Sequence, residues 1–180
     1  MAGKLIVLTG PSGVGKGTLR KRILQARPDI RETVSVTTRE MRPGETEGQD
    51  YFFVSRHRFL EMIQHDEFIE WTEYAGNCYG TPKHQLLTED QTILMEIEVQ
   101  GALNIKQIFP DARLIFVAPP SLLTLEARIR GRNTNDETDI ERRLEVARLE
   151  LQEQDKFDCV VINDELERCT EQILMLLSSH

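Results

Sequence analysis

The chain has 180 residues, of which 39% are hydrophobic and 29% charged, so its composition is that of one ordinary globular domain. A formal net charge of −8 argues against general nucleic-acid binding, because phosphate backbones select basic surfaces. No apolar run is long enough to span a bilayer, and the first one is too short for a signal-peptide core, so we expect a cytoplasmic protein.

Short apolar runs alternate with helical patterns along the chain. The predicted strands cover 4–9, 33–37, 92–98, 113–118 and 158–162, and helical patterns follow most of them. Continuous apolar strands separated by helices are typical of a parallel sheet that is covered on both faces. The predicted fold class is therefore α/β, with a five-stranded parallel sheet flanked by helices.

Residues 5–19, LIVLTGPSGVGKGTL, place a glycine-rich loop between the first strand and the first helix. This context fits a phosphate-binding loop, in which the backbone N–H groups from Gly10 to Gly15 surround phosphate oxygens at a helix N-terminus. Lys16 would then reach the β- and γ-phosphates. The alternative is a glycine-rich turn with a solvated lysine.

The loop departs from the usual pattern at its end, because Gly17 follows the lysine and Thr18 comes one position late. A Mg²⁺ ion would then depend on the nucleotide phosphates, on water and on a nearby carboxylate. The G-K-G-T ending resembles the loops of nucleoside-monophosphate kinases, adenylate kinases included. This departure therefore narrows the class of protein.

Residues 34–90 interrupt the alternation and are predicted to form an inserted β-rich subdomain, with GNCYG as a turn. The segment SVTTREMRPGETEGQDY places Arg39 and Arg42 on a Pro-Gly loop that Tyr51 closes. Guanidinium groups bind phosphate through paired hydrogen bonds, so this arginine pair is a candidate phosphate site. The alternative is a solvated loop surface.

A second interruption, RIRGRNTNDETD at 128–139, suits a mobile flap between two helices. The helix after it is predicted to bury one apolar face, whose residues are spaced 4, 3 and 4 along the chain. These residues are Ile140, Leu144, Ala147 and Leu151.

Six motifs in order, GPSGVGKGT, SVTTREMRPGETEGQDYFF, FIEWTEYAGNCYGT, EIEVQGA, RIRGR and VIND, resemble those of guanylate kinases across nearly the whole chain. The resemblance implies a P-loop NTPase-type core that transfers the γ-phosphate of ATP to GMP, giving ADP and GDP. It also implies a core of 1–33, 91–127 and 146–180, a GMP-binding insert of 34–90 and a lid of 128–145.

The resemblance assigns site residues position by position. The ATP loop comprises Gly10, Pro11, Ser12, Gly13, Val14, Gly15, Lys16, Gly17 and Thr18. The GMP phosphate is gripped by Arg39, Arg42, Tyr51 and Tyr79, and guanine is surrounded by Ser35, Glu70, Thr81 and Glu98. The lid-region arginines Arg128, Arg132 and Arg143 converge on the ATP phosphates, and together with Lys16 and Arg39 they are the expected catalytic residues.

The physics of guanine recognition agrees with the place of Glu70 in that scheme. Guanine presents N1–H and an N2 amine side by side, so one carboxylate can accept from both. Adenine has a lone pair at N1, and a buried carboxylate left unpaired is costly, so AMP would be rejected. Deoxy-GMP is expected to be a substrate as well.

Glu98 stands where guanylate kinases usually have aspartate, so guanine selectivity could be altered. Glu96 matches a position that is often acidic and could orient a magnesium-bound water. The three cysteines lack the spacing of a zinc site, and we expect no metal held by protein ligands alone, only Mg²⁺ carried by ATP.

Other interpretations remain open for these residues. Glu70 could be an exposed strand carboxylate, and Tyr51 and Tyr79 could pack beneath the insert. Arg143 could pair with Asp139 on a helix surface. The chain as a whole could be a related kinase with another phosphorylated acceptor, or an inactive guanylate-kinase-like module that binds proteins.

Overall fold

The structure is a computed structural model that describes residues 4–86, 91–131 and 137–178. Its strands are β1 Leu5–Thr9, β2 Arg31–Glu32, β3 Val36–Thr37, β4 Phe52–Phe53, β5 Phe68–Tyr74, β6 Asn77–Pro82, β7 Ile93–Glu96, β8 Arg113–Ala118 and β9 Cys159–Ile162. Its α-helices are α1 Lys16–Ala26, α2 Arg56–Gln64, α3 Val99–Ile108, α4 Leu122–Arg130, α5 Glu137–Gln152 and α6 Leu166–Ser178.

The main sheet has five parallel strands in the order β2-β7-β1-β8-β9, which confirms the predicted fold class. The central strand β1 pairs with β7 and β8, so that Leu8 lies beside both Glu96 and Ile115. Because the strands are parallel, their carboxyl ends share one edge of the sheet. The loop after β1 and the carboxylate that ends β7 therefore lie side by side.

Apolar cores cover both faces of this sheet, as continuous apolar strands require. One core joins the sheet to α1, α4, α5 and α6, and the other joins it to α3. On α5 the predicted apolar face is confirmed, since Ile140, Leu144 and Ala147 are buried and Leu151 is partly buried. Helix positions spaced by three and four residues face the same side, which is why the pattern identified this face.

A second sheet, in the order β4-β3-β6-β5, lies within the predicted insert and packs against α2. Phe59 of α2 stacks on Phe68 of β5 with 4.6 Å between ring centroids. At Gly80 on β6 an added Cβ would lie 2.8 Å from Phe68, so only glycine permits this packing. The second sheet therefore has its own small core.

Two local expectations were wrong. Of the predicted strand 33–37 only Val36–Thr37 is strand, and this β3 belongs to the second sheet, while the main-sheet strand β2 lies just before it at Arg31–Glu32. GNCYG is mostly strand β6, and the turn lies at Ala75 and Gly76, whose φ angles are 49° and 81°. Within the described ranges, no helix is both long and apolar enough to cross a bilayer.

Candidate active site

The loop between β1 and α1 is shaped by backbone geometry that only glycine accommodates. Gly10 has φ of 141°, and a Cβ there would lie 2.2 Å from the carbonyl oxygen of Val117. Gly15 has φ of 102°, and its Cβ would lie 2.7 Å from Nδ2 of Asn163. Both positions combine left-handed backbone with close approach, so a side chain would displace the loop.

Side chains from distant parts of the sequence hold this loop from outside. The Asn163 amide donates to the carbonyl of Val14 at 2.8 Å. Arg128 donates to the same carbonyl at 3.3 Å and to that of Asn163 at 3.0 Å. Asn163 received no role from the sequence, because its partner Val14 is 149 residues away.

Lys16 is the first residue of α1, and its ammonium folds back over the loop. It donates to the carbonyl oxygens of Gly10 at 2.6 Å and Pro11 at 3.4 Å. Its side chain lines a cleft together with Ser12 and Gly17. The loop thus presents one cation and a helix N-terminus to the same space, which is the electrostatic requirement for binding phosphate.

The carboxylate of Glu96 faces Gly17, the position where the usual phosphate loop has a Ser or Thr hydroxyl. A Cβ on Gly17 would lie 3.8 Å from Oε2 of Glu96, at ordinary contact distance. Burial raises the pKa of Glu96, while Lys16 and Arg20 act in the opposite direction. Glycine at this position therefore leaves space in front of a carboxylate that two cations keep close to the loop.

The loop of residues 38–51, here called the arginine loop, is organised by Glu45, to which the sequence analysis gave no role. Its carboxylate accepts from both Nη atoms of Arg39, at 3.0 and 2.7 Å, and from the backbone N–H of Arg42 at 2.8 Å. Burial alone would raise the pKa of Glu45, but the hydrogen bonds from Arg39 and Arg42 lower it. The G-E-T-E spacing alone could not show which of its acids would turn inward.

Aromatic rings pack against Arg39 in the arginine loop. The Arg39 guanidinium lies 5.4 Å from the ring centroid of Tyr51, and the Tyr51 and Tyr79 rings are 6.0 Å apart. Burial raises the pKa of both tyrosines, with Glu98 adding to the effect, so both hydroxyls remain protonated donors. Burial, together with Arg39 and Arg143 nearby, lowers the pKa of Arg42. Several cations therefore face one another across the cleft, an arrangement that favours an anion between them.

A small polar pocket adjoins the arginine loop and is built around Glu70. This carboxylate is buried at 6% exposure; one oxygen accepts from the Thr81 hydroxyl at 2.7 Å, and the other has no hydrogen-bond partner. Burial raises the pKa of Glu70 to about 7, and the charge of Glu98 adds to this shift. A buried carboxylate oxygen without a hydrogen-bond partner is costly, so hydrogen bonds from a ligand to this group would be stabilising.

The backbone of α3 comes close to the same carboxylate. At Gly101 an added Cβ would lie 2.6 Å from Oε2 of Glu70, so a side chain there would push the carboxylate aside. The rest of the pocket wall includes Ser35, Thr72 and Glu98, and one oxygen of Glu98 is also buried without a hydrogen-bond partner. Thr72 and Gly101 received no role in the sequence analysis, because Thr72 only lines the pocket and Gly101 meets Glu70 from a distant segment.

The structure brings most of the predicted site residues to one cleft. Arg143 is 9% exposed and lines it, so it does not lie on an exposed helix surface. Arg128 contacts the outside of the phosphate loop, and Arg132 falls outside the described residues. The predicted residues that line the cleft or its adjoining pocket are Ser12, Gly13, Gly15, Lys16, Gly17, Ser35, Arg39, Arg42, Tyr51, Glu70, Tyr79, Glu98 and Arg143.

In sequence, this chain is similar to known guanylate kinases. The family described as "Guanylate kinase" matches residues 2–180 of this chain. A guanylate kinase from Synechococcus sp. (strain JA-3-3Ab) is 51% identical over 97% of the chain and 82% of its own length. One from Prochlorococcus marinus (strain MIT 9313) is 53% identical over 92% of the chain and 89% of its own length.

Two solved structures resemble this fold, with different TM-scores and sequence identities. The crystal structure of guanylate kinase from Anaplasma phagocytophilum aligns with a TM-score of 0.82 and 33% identity, covering 98% of this chain and 85% of that one. A shikimate kinase from Bacteroides thetaiotaomicron aligns with a TM-score of 0.51 and 16% identity, covering 97% of this chain and 98% of its own. The second likeness concerns the fold alone.

Proposed function

This chain belongs to the guanylate kinase family, and we infer that it transfers the γ-phosphate of ATP to GMP, giving ADP and GDP. The observation that carries this conclusion is the joint lining of one cleft by a phosphate loop and an arginine loop, with the Glu70 pocket beside it. A phosphoryl donor and a purine monophosphate thus have adjoining places. Deoxy-GMP is proposed as a second acceptor.

We propose that the phosphate loop, residues 10–18, binds the ATP phosphates and that Lys16 neutralises charge on the β- and γ-phosphates. Arg39 and Arg42, with Tyr51 and Tyr79, bind the GMP phosphate across the cleft. In the reaction, a GMP phosphate oxygen attacks the γ-phosphorus of ATP. At the same time the bond between the γ-phosphorus and the bridging oxygen of the β-phosphate breaks, so that ADP leaves. Such transfer needs alignment and charge neutralisation and no protein nucleophile.

The lid-region arginines have different proposed parts. Arg143 lines the cleft and is placed to balance charge on the transferred phosphoryl group. Arg128 holds Val14 and Asn163, so it supports the shape of the phosphate loop from outside. Arg132 is proposed from the family resemblance only. We further propose 34–90 as the GMP-binding insert and 128–145 as the lid.

Magnesium is proposed to accompany ATP, since the Glu96 carboxylate lies in front of Gly17 and both line the same cleft as Lys16. Glu96 would hold it through water. When bound, the ion would neutralise charge on the phosphate oxygens. Among the described residues, no cluster of three metal-ligating side chains offers a site formed by protein alone.

Guanine is proposed to bind in the pocket of Glu70. The unpartnered oxygen and its neighbour can accept from N1–H and the N2 amine, while Ser35, Thr81 and Glu98 complete the surroundings. AMP would leave this buried carboxylate without donors, which is the physical basis for rejecting it. The longer Glu98 narrows the pocket relative to aspartate.

The test is ADP release in a coupled assay with fixed ATP and Mg²⁺ and with GMP, deoxy-GMP, AMP, CMP, UMP or ribose 5-phosphate as acceptor. We expect turnover with GMP and deoxy-GMP and little with the rest. Preferential turnover of AMP or the sugar phosphate would refute the guanine assignment. Absence of turnover with every acceptor would favour a binding module.

A further inference from the structure

Arg20 is a buried arginine to which the proposed reaction gives no role. It lies on α1, one helical turn after Lys16, and is 7% exposed. Its guanidinium contacts Glu32 at 3.1 Å, Asp50 at 3.0 Å and Glu96 at 3.4 Å. Three carboxylates from separate segments therefore converge on one cation, an arrangement that needs a reason, because burying charged groups is costly unless they are paired.

The three carboxylates mark the parts of the site that must keep a fixed spacing. Glu32 belongs to β2 in the main sheet, and Glu96 ends β7 beside the phosphate loop. Asp50 belongs to the arginine loop, in the second sheet's half of the molecule, and precedes Tyr51. Arg20 therefore connects the helix of the phosphate loop directly to the loop that faces it.

Asp50 accepts hydrogen bonds both from Arg20 and from the backbone of its own loop. Its Oδ1 accepts from Arg20, and its Oδ2 accepts from the backbone N–H of Thr46 at 3.0 Å. Lys21 also approaches Oδ1 at 3.4 Å, but its side chain is 61% exposed, so its contribution is screened by solvent. The planar guanidinium of Arg20 is thus the rigid link, and Asp50 transmits its position to the loop residues around it.

We propose that Arg20 is a positioning residue that fixes the arginine loop and Glu96 relative to the helix that begins with Lys16. The inference rests on the proposed function, since it assumes that these two loops hold the acceptor and donor phosphates. Arg20 sets the separation of the two loops and is not itself a catalytic residue. Small displacements matter here, because a misplacement of about 1 Å costs on the order of 100-fold in rate.

The test begins with Arg20→Met, which keeps much of the alkyl stem and removes the guanidinium. Asp50→Asn removes only the carboxylate charge at the loop end of the link. We expect each variant to raise the KM for GMP and lower kcat, with a combined loss in kcat/KM for GMP of about 10- to 100-fold. The Kd for ADP, measured by calorimetry without GMP, should change less than about twofold.

The double variant Arg20→Met with Asp50→Asn distinguishes positioning from general destabilisation. If the two residues act as one link, the double variant should lose little more than Arg20→Met alone. Additive losses in kcat/KM for GMP would overturn the proposal. If Arg20→Met fails to fold, Asp50→Asn decides: wild-type kinetics in that variant would also overturn it.

Arg22→Met is the matched control, because Arg22 is on the same helix, is exposed, and forms an ion pair with the exposed Glu167. Its kinetics should equal those of the wild type. Equal loss of ADP and GMP binding in Arg20→Met would refute a role directed at the arginine loop. Failure of the wild-type chain to use GMP would instead contradict the proposed function, so the two failures are distinguishable.

Discussion

The phosphate loop and the arginine loop face each other across one cleft, yet they are held in different ways. Gly10 and Gly15 shape the phosphate loop, because an added Cβ would lie 2.2 Å from the Val117 carbonyl oxygen and 2.7 Å from the Asn163 amide, respectively. The arginine loop is held by ion pairs, Arg39 with Glu45 and Arg20 with Asp50. Gly44 in that loop also has positive φ, but nothing lies within 4 Å of its Cβ position.

This difference teaches which part of the site is fixed by sterics and which by charge. Close packing around these glycines tolerates a single backbone arrangement, so we expect the donor side to keep its shape when ATP binds. Ion pairs can exchange partners, so the phosphate of GMP can take over part of the coordination that Glu45 gives to Arg39. Three predictions test this contrast, beginning with the largest expected effect, and two more concern the Glu70 pocket beside the arginine loop.

Lys16→Ala removes the cation that the rigid loop presents to the donor phosphates. We expect kcat to fall by about 100- to 1,000-fold, because a preorganised donor to developing charge is lost. The KM for GMP should change little. The measurement is steady-state ADP release, with Lys156→Ala as the exposed control. A variant that lost GMP affinity and kept its kcat would contradict the division between the two loops.

Gly15→Ala and Gly44→Ala form a matched pair that tests sterics directly. Both place a methyl group on left-handed backbone, which costs about 1–2 kcal/mol in the free energy of unfolding. Only Gly15→Ala also meets Asn163, so its total loss should reach about 2–4 kcal/mol. Urea denaturation measures both. Equal losses would show that close approach is not what shapes the phosphate loop.

Arg39→Ala tests the side held by charge. We expect the KM for GMP to rise about 10- to 100-fold, since hydrogen bonds to a charged group contribute roughly 1.5–3 kcal/mol. The Kd for ADP should stay within about twofold of the wild-type value, because the phosphate loop keeps its shape without Arg39. Arg58→Ala, on the exposed surface of α2, is the control. A matching loss of ADP affinity would be the contrary result.

The pH dependence of GMP use should report the ionisation of Glu70. Its pKa is raised to about 7 by burial, and guanine needs the ionised form as acceptor. We expect kcat/KM for GMP to fall about tenfold between pH 8 and pH 6. Glu70→Gln should have a lower kcat/KM and lose this pH dependence, while titration of GMP itself stays common to both proteins. Parallel pH profiles would refute the assignment.

The pH dependence of the free energy of unfolding is an independent test of the pKa of Glu70. A raised pKa in the folded state means that Glu70 contributes stability below its ordinary pKa of 4.5, and that this contribution is lost as pH rises through about 7. Relative to Glu70→Gln, the wild type should therefore become less stable between pH 5 and pH 8. Urea denaturation at both values measures this. An unchanged difference would indicate that Glu70 is not desolvated.

The local shape of the phosphate loop could be predicted from the sequence, whereas most of the contacts that support it could not. Strand, glycines and lysine are consecutive, so their order alone indicates a phosphate site. Asn163 and Arg128 reach the loop from positions more than 100 residues away, and no periodicity links such positions. Glu45 was missed for another reason: neighbouring acids in the same segment have the same chemistry and differ only in direction.

The sequence by itself determined the α/β fold, the apolar face of α5 and, through six ordered motifs, the family. These features depend on local spacing and on the alternation of apolar runs, which survive in a linear pattern. Only the tertiary structure decided that β2 and β3 enter different sheets, that Glu70 keeps an open oxygen under Gly101, and that Arg20 gathers three carboxylates. Each of these depends on which distant segments pack together, and therefore on burial and distance that no single stretch of sequence contains.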